Sequence, residues 1–492
     1  MPQMPVEIDP AAPADPGPVY ALLGGDHTQR GRRLFNTGLV LLAVALLYLA
    51  YNAQVSDILH LYQGLVIFTL AFVPGLLWAK SGGSRFPVFE PIMLLCANAY
   101  AIPLLNGQEQ LTLYAPEVIT KASLAVIIFQ VCAIGAYSSI RGRPGRSRFW
   151  TESILGQQTE RFTVYGLVLS TGYVTVATFT AWIPAEIASV LRAVCFGVGI
   201  LCTFISTQRW GRGELIPSDK AVLLCTLVPQ LIFQTVELLL VSTISLLGIA
   251  LLGYLSGSKR IPWVVMIGSF AILAVLNNGK STMRGKYWEQ KLPTPTISQL
   301  PAYYAEWIAD GLEPADSRLY GEKSKSSGRK LLERTSLMHI LCLIVDWSPS
   351  RQDFLHGETY GYVLPQLIPR FLWPDKPRAH IATYRLSIYY GLQDEDATNS
   401  TTIAFGMLSE AYANFGMIGT GMLGLFWGVS LKRLQVLSQH SPMFSQAGLM
   451  MILLTAWAFA IELTMAVWIS SLFQALVIVL GIPLLIRAFF SN

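Results

Sequence analysis

Runs of about 20 apolar residues recur along this chain, and they restrict its fold more than any other feature, because a bilayer core about 30 Å thick is crossed by a helix of that length. Leu34–Tyr51, Ile58–Ala79, Pro87–Leu105, Ile119–Tyr137, Phe162–Ile183 and Ala185–Ser206 have that length or nearly so. Ala221–Leu255 is too long for one crossing and reads as a tight hairpin of two, while Ile261–Val275 is a shorter span. Phe415–Val429, Ala447–Ile461 and Thr464–Arg487 complete the set. With 53% hydrophobic and 13% charged residues the chain is too apolar for an ordinary soluble domain. The fold class is all-α: a polytopic helical membrane protein with about 12 transmembrane helices.

Lys and Arg collect in cytoplasmic loops, so the short connections orient the bundle. HTQRGRR, KSGGSR, RGRPGRSR, QRWGRGE, GSKR and LKR all fall on one side if Ala221–Leu255 crosses twice. Residues 1–33 are then a cytoplasmic Pro-rich tail, 34–277 hold helices 1–9, and 415–492 hold helices 10–12 with a short cytoplasmic C-terminus. Between helices 9 and 10, residues 278–414 form one large extracytoplasmic loop, periplasmic in a double-membraned bacterium. Within it LMHILCLIV (Leu337–Val345) is too short to cross and reads as a helix lying in the interface or dipping part way. The expected location is the bacterial inner membrane with both termini cytoplasmic.

The loop contains LIPRFLWPDKPRAH, residues 367–380. Residues before proline are held extended and each proline fixes its own φ, so Arg370, Lys376 and Arg378 lose little freedom on binding an anion. Arg suits phosphate geometry, whereas Lys acts as a point charge. The bland alternative is a rigid turn anchored in the interface by Trp373. Glu237 and Glu462 fall near the loop side of the bilayer, as do Glu186, Arg192 and Lys121, which open helices there. Lys280, Arg284 and Lys286 form a second cationic cluster where the ninth helix enters the loop. Glu410 sits just above the tenth helix, whose Gly424 and Gly428 form a GxxxG packing pair. The six cysteines lack metal or disulfide spacing, and DEDATNS reads as a solvated acidic stretch, so no metal and no cofactor are assigned. The charge of +5 says nothing for nucleic acid in a membrane protein.

LIPRFLWPDKP, followed by EAYANFG and a Gly-rich helix, resembles the oligosaccharide repeat-unit polymerases, the Wzy-type O-antigen and exopolysaccharide polymerases. The resemblance spans Phe354–Gly428. It implies a metal-independent membrane glycosyltransferase that moves a growing glycan from undecaprenyl pyrophosphate onto an incoming lipid-linked repeat unit. Pyrophosphate binding would fall on Arg370, Lys376 and Arg378, with Arg284 as a further member. An acceptor hydroxyl needs a general base within hydrogen-bond reach; Glu358, His380 and Glu410 are the candidates, with Asp375 a fourth. Partners so implied are undecaprenyl-diphosphate-linked oligosaccharide, membrane lipids, a chain-length regulator and a flippase. Competing readings are an O-antigen ligase-like transferase, a flippase or transporter of lipid-linked sugars, and an O-acyltransferase using His339 or His380.

Overall fold

The computed structural model describes residues 27–55, 57–82, 87–140, 159–180, 182–238, 240–289, 292–312, 337–368, 372–399, 402–438, 441 and 445–490. Arg370, the basic stretch Arg141–Arg148 and most of the Pro-rich tail lie outside these residues. The first half contains α1 (His27–Tyr51), α2 (Ile58–Lys80), α3 (Phe89–Cys96), α4 (Pro116–Ser139), α5 (Thr159–Phe179) and α6 (Ala185–Arg212). α7 (Pro217–Val236) and α8 (Leu240–Ser258) are the two arms of the hairpin expected over Ala221–Leu255. Then come α9 (Trp263–Arg284), α10 (Leu300–Leu312), α11 (Leu337–Trp347), α12 (Ile381–Tyr389), α13 (Gly406–Leu437), α14 (Gln446–Trp457) and α15 (Met465–Phe490).

Local chemistry starts these helices. The Asp57 side chain accepts from Leu59 N at 2.8 Å at the head of α2, and Ser445 accepts from Gly448 N at 3.2 Å at the head of α14. Prolines, lacking an N–H that would be orphaned there anyway, open α4 and α7. Among the described residues, eight helices are long and apolar enough to cross a bilayer: α1, α2, α4, α5, α7, α8, α9 and α13. Phe89–Leu105, α11, α14 and Met465–Val477 are shorter apolar helices. α14 has 12 residues, so it reaches about 18 Å, well short of a hydrocarbon core of about 30 Å.

The bundle is tightest where α13 crosses α4. A Cβ on Gly424 would fall 2.4 Å from the Phe129 carbonyl oxygen, and one on Gly428 would fall 2.4 Å from that of Ala133. The GxxxG pair therefore serves close backbone approach. α11 packs on α4 and α13 with Leu337, Met338, Ile340, Leu341, Cys342, Ile344 and Val345 all buried. An apolar helix of 11 residues that is covered by protein on nearly every side gains its stability from packing, not from lipid. α9 and α10 form a side arm with its own small core of Leu238, Leu240, Leu276, Met283, Tyr303 and Trp307.

α13 bends at Phe415 and Gly416. Gly416 has φ +60°, and a Cβ there would lie 2.9 Å from the Phe354 ring, so both backbone and space require glycine. The bend separates the membrane-length part of α13 from its first turns, Gly406–Asn414, which carry Glu410.

Candidate functional site

The segment following α11 docks on the first turns of α13 through its backbone. Leu355 N donates to Ala413 O at 3.0 Å and His356 N to Asn414 O at 3.1 Å. Gly357 N donates to Asn414 Oδ1 at 2.9 Å, while Asn414 Nδ2 donates to Thr359 Oγ1 at 2.7 Å and to Glu410 O at 2.8 Å. His356 and Gly357 both have positive φ, 47° and 95°. Strain at His356 is tolerated because this fully bonded amide overdetermines the turn.

Glu410 is completely buried, and its Oε2 accepts from Met465 N, the first residue of α15, at 2.6 Å. Its carboxylate thus caps one helix end from within another, and negative charge at an N-terminus is favoured by the helix dipole. The turn before α15 is tied down from two further sides: Gly406 N donates to Glu462 O at 2.9 Å, and the Thr383 and Thr464 hydroxyls lie 3.2 Å apart. Burial pushes the Tyr360 phenol well above its ordinary range, and the nearby Glu410 pushes the same way.

Glu358 points elsewhere. Arg385 of α12 donates to it twice, from Nε to Oε1 at 2.7 Å and from Nη2 to Oε2 at 3.2 Å, while its guanidinium covers the Tyr389 ring at 4.9 Å. Both Glu358 oxygens are engaged by the fork, so this carboxylate orients a guanidinium and has little capacity left to accept a substrate proton.

His380 precedes α12, 6.1 Å ring to ring from Tyr384. The Arg378 guanidinium lies over that same tyrosine at 4.7 Å and also donates to Thr398 Oγ1 at 3.3 Å. Burial pushes the His380 imidazole below the ordinary histidine value, and Arg192 of α6 repels its charged form further. One turn along α6 from Arg192, Phe196 packs edge-on against Trp457 at 5.6 Å. That contact brings this part of α6 to the end of α14. Arg378 and His380 therefore meet at the Tyr384 ring, and the exposed Arg192 is near enough to repel the charged form of the imidazole.

Lys376 is turned inward: its ammonium donates to Ile368 O at 2.8 Å and Gln366 O at 3.4 Å, closing the Pro-bracketed turn on itself. Asp375 and Trp373 are exposed. Arg284 lies on the α9 arm, where it contacts Leu238 O and the Trp288 ring. Arg370 lies outside the described residues. Lys121 and Glu237 are exposed, whereas Glu90, Glu410 and Arg284 are buried among the described residues.

Three contributors escaped the sequence reading. Arg192 stood out only as a charge near a helix start, and Arg385 not at all. Asn414 follows Glu410 by four residues, the spacing of one helix face, which was the available signal. No family model, curated protein or solved structure matches the chain.

Proposed function

We propose that the chain is a repeat-unit polymerase, transferring a glycan from undecaprenyl pyrophosphate to the acceptor sugar of an incoming lipid-linked unit. In this reading about twelve helices cross the bacterial inner membrane, both termini are cytoplasmic, and the segment 278–414 faces the periplasm. The observation that carries it is that His380 and Arg378 share the Tyr384 ring, with Arg192 near enough to repel the charged imidazole.

Each group has a task the reaction requires. The bond between the donor sugar carbon and its phosphate oxygen breaks as the acceptor oxygen attacks that carbon, and the bonding pair leaves with the diphosphate. Arg378 and Arg192 stand where they could stabilise the charge growing on that leaving group without reorganising. His380 in its neutral form accepts the proton released by the acceptor hydroxyl. Lys376 stiffens the turn that presents Arg378, and Arg370 keeps the pyrophosphate-binding role the resemblance gives it. Glu410 and Asn414 hold the turns beneath, and Glu358 fixes Arg385.

Reconstituted protein supplied with a defined undecaprenyl-diphosphate oligosaccharide tests the proposal. Elongation beyond one repeat, lost in the Arg378→Ala variant at unchanged protein level, supports it. Transfer only to an acceptor without a polyprenyl carrier would identify a ligase-like enzyme instead, and no glycan transfer at all would refute both.

A further inference from the structure

Arg284 is nine-tenths buried, and a buried guanidinium is stable only when its charge is balanced. Its Nη2 donates to the Leu238 carbonyl at 2.8 Å and its Cζ lies 4.3 Å from the Trp288 ring centre. Neither partner carries a negative charge. Its Nε is buried without any hydrogen-bond partner. Among the described residues no carboxylate pairs with it.

The other cations nearby are accounted for. Lys286 is taken by Glu306 and Asp310, at 2.5 and 3.1 Å. Lys280, one turn before Arg284 on the same face, has Glu462 close enough to attract it. Among the described residues, what remains at Arg284 is one positive charge with no carboxylate paired to it.

The level of this charge in the bilayer is also legible. The apolar stretch of α9 runs Trp263–Lys280, so Arg284 lies about 6 Å beyond its end. Trp288 stacks on it, and Tyr287, Tyr303, Tyr304 and Trp307 pack on one another in the same side arm, the residue types that favour the headgroup zone. We propose that Arg284 binds the phosphodiester of a bilayer phospholipid bearing a single net negative charge, with Lys280 at the margin of the site. A phosphodiester balances one charge and offers oxygens to the unpartnered Nε, whereas a diphosphate would bring more negative charge than the site holds in excess. Lys280, Arg284 and Trp288 are separate from the groups assigned to glycan transfer, so this inference stands apart from that reading.

Native mass spectrometry of the full chain released from micelles containing phosphatidylglycerol, diacylglycerol or undecaprenyl diphosphate tests it. Wild-type protein should retain phosphatidylglycerol at least about tenfold better than the Arg284→Met variant, the scale of one charge-assisted hydrogen bond. Arg284→Lys, which keeps the charge but loses the fork, should retain an intermediate amount. Phosphatidylglycerol should also raise the unfolding temperature of the wild type but not of Arg284→Met, a comparison made within each folded protein. Equal retention by wild type and Arg284→Met would overturn the proposal. So would a wild-type preference for undecaprenyl diphosphate over phosphatidylglycerol that vanishes in Arg284→Met, which would assign Arg284 to the lipid-linked substrate. Loss of phosphatidylglycerol from Arg378→Ala with retention by Arg284→Met would overturn it as well. Unchanged glycan transfer in Arg284→Met would leave the two sites independent, as proposed.

Discussion

The Pro-bracketed segment and the far end of α9 both carry cations just past an apolar stretch, but the two regions differ in what surrounds the charge. Around α12 the guanidinium groups lie on aromatic rings at a partly open surface, with Arg385 forked onto Glu358 and Arg378 over Tyr384. At α9 a guanidinium is enclosed, and among the described residues no acid pairs with it. Open cations beside an imidazole whose charged form is disfavoured would suit a reaction that turns over and releases product. An enclosed cation suits a ligand that stays.

The largest effect that would sharpen this contrast is on catalysis at His380. His380→Gln should lower transfer by about 10²- to 10⁴-fold, the range for removal of a general base, with little change in thermal stability. Wild-type turnover from that variant would break the assignment. The pH profile carries the same information. Burial and Arg192 lower the imidazole pKa, so the neutral, proton-accepting form persists to lower pH than in an ordinary histidine and activity should fall only on acidification. An Arg192→Gln substitution removes the repulsion and should move that acid limb to higher pH, and an unmoved limb would place Arg192 away from the base.

Next in size are the two guanidinium groups themselves. Arg378→Ala should reduce turnover by about 10²-fold, as removal of a preorganised charge-stabilising donor does, and Arg378→Lys should recover little of it. Initial rates with a defined lipid-linked donor decide the matter. If Arg284→Met had the same effect on rate, the functional separation between the two regions would fail.

Glu410 tests the buried side of the comparison through stability. Glu410→Ala leaves Met465 N unpaired in a closed interior, which should cost about 1–3 kcal/mol, while Glu410→Gln keeps an oxygen acceptor and should cost less. Thermal unfolding in detergent measures both. A larger loss for Gln than for Ala would mean that the charge, and not the hydrogen bond, holds α15 in place.

Much of this architecture was legible because the bilayer imposes a length rule. The run Ala221–Leu255 announced two helices by its length together with the alternation of basic loops, and Gly424 and Gly428 announced a close crossing by spacing. Leu337–Val345 was legible only in part, since nine apolar residues look the same whether lipid or protein covers them; α4 and α13 decide that here. The site was less legible still. Glu358 looked available as a base until Arg385, some 27 residues later in sequence, closed on it. Lys376 looked like a ligand until its own loop carbonyls took it. Pairing of this kind depends on where separate segments meet, which no local pattern records.

The smallest effect distinguishes the two regions most finely. Glu358 and Arg385 are each more than a third exposed, with side-chain exposures of 39% and 36%, so solvent screens their attraction despite the forked geometry. Charge removal at either end should therefore cost under about 1 kcal/mol of stability, and a double-mutant cycle between Glu358→Gln and Arg385→Gln should return a coupling of similar size. The coupling should weaken in high salt, because exposed pairs are screened over about 10 Å at 0.1 M and over less as salt rises. Retention of phosphatidylglycerol at Arg284 should weaken much less over the same range, because its charge is enclosed. If both responded to salt equally, the enclosure of Arg284 would have no energetic meaning, and the difference drawn between an open reacting surface and a closed lipid site would disappear.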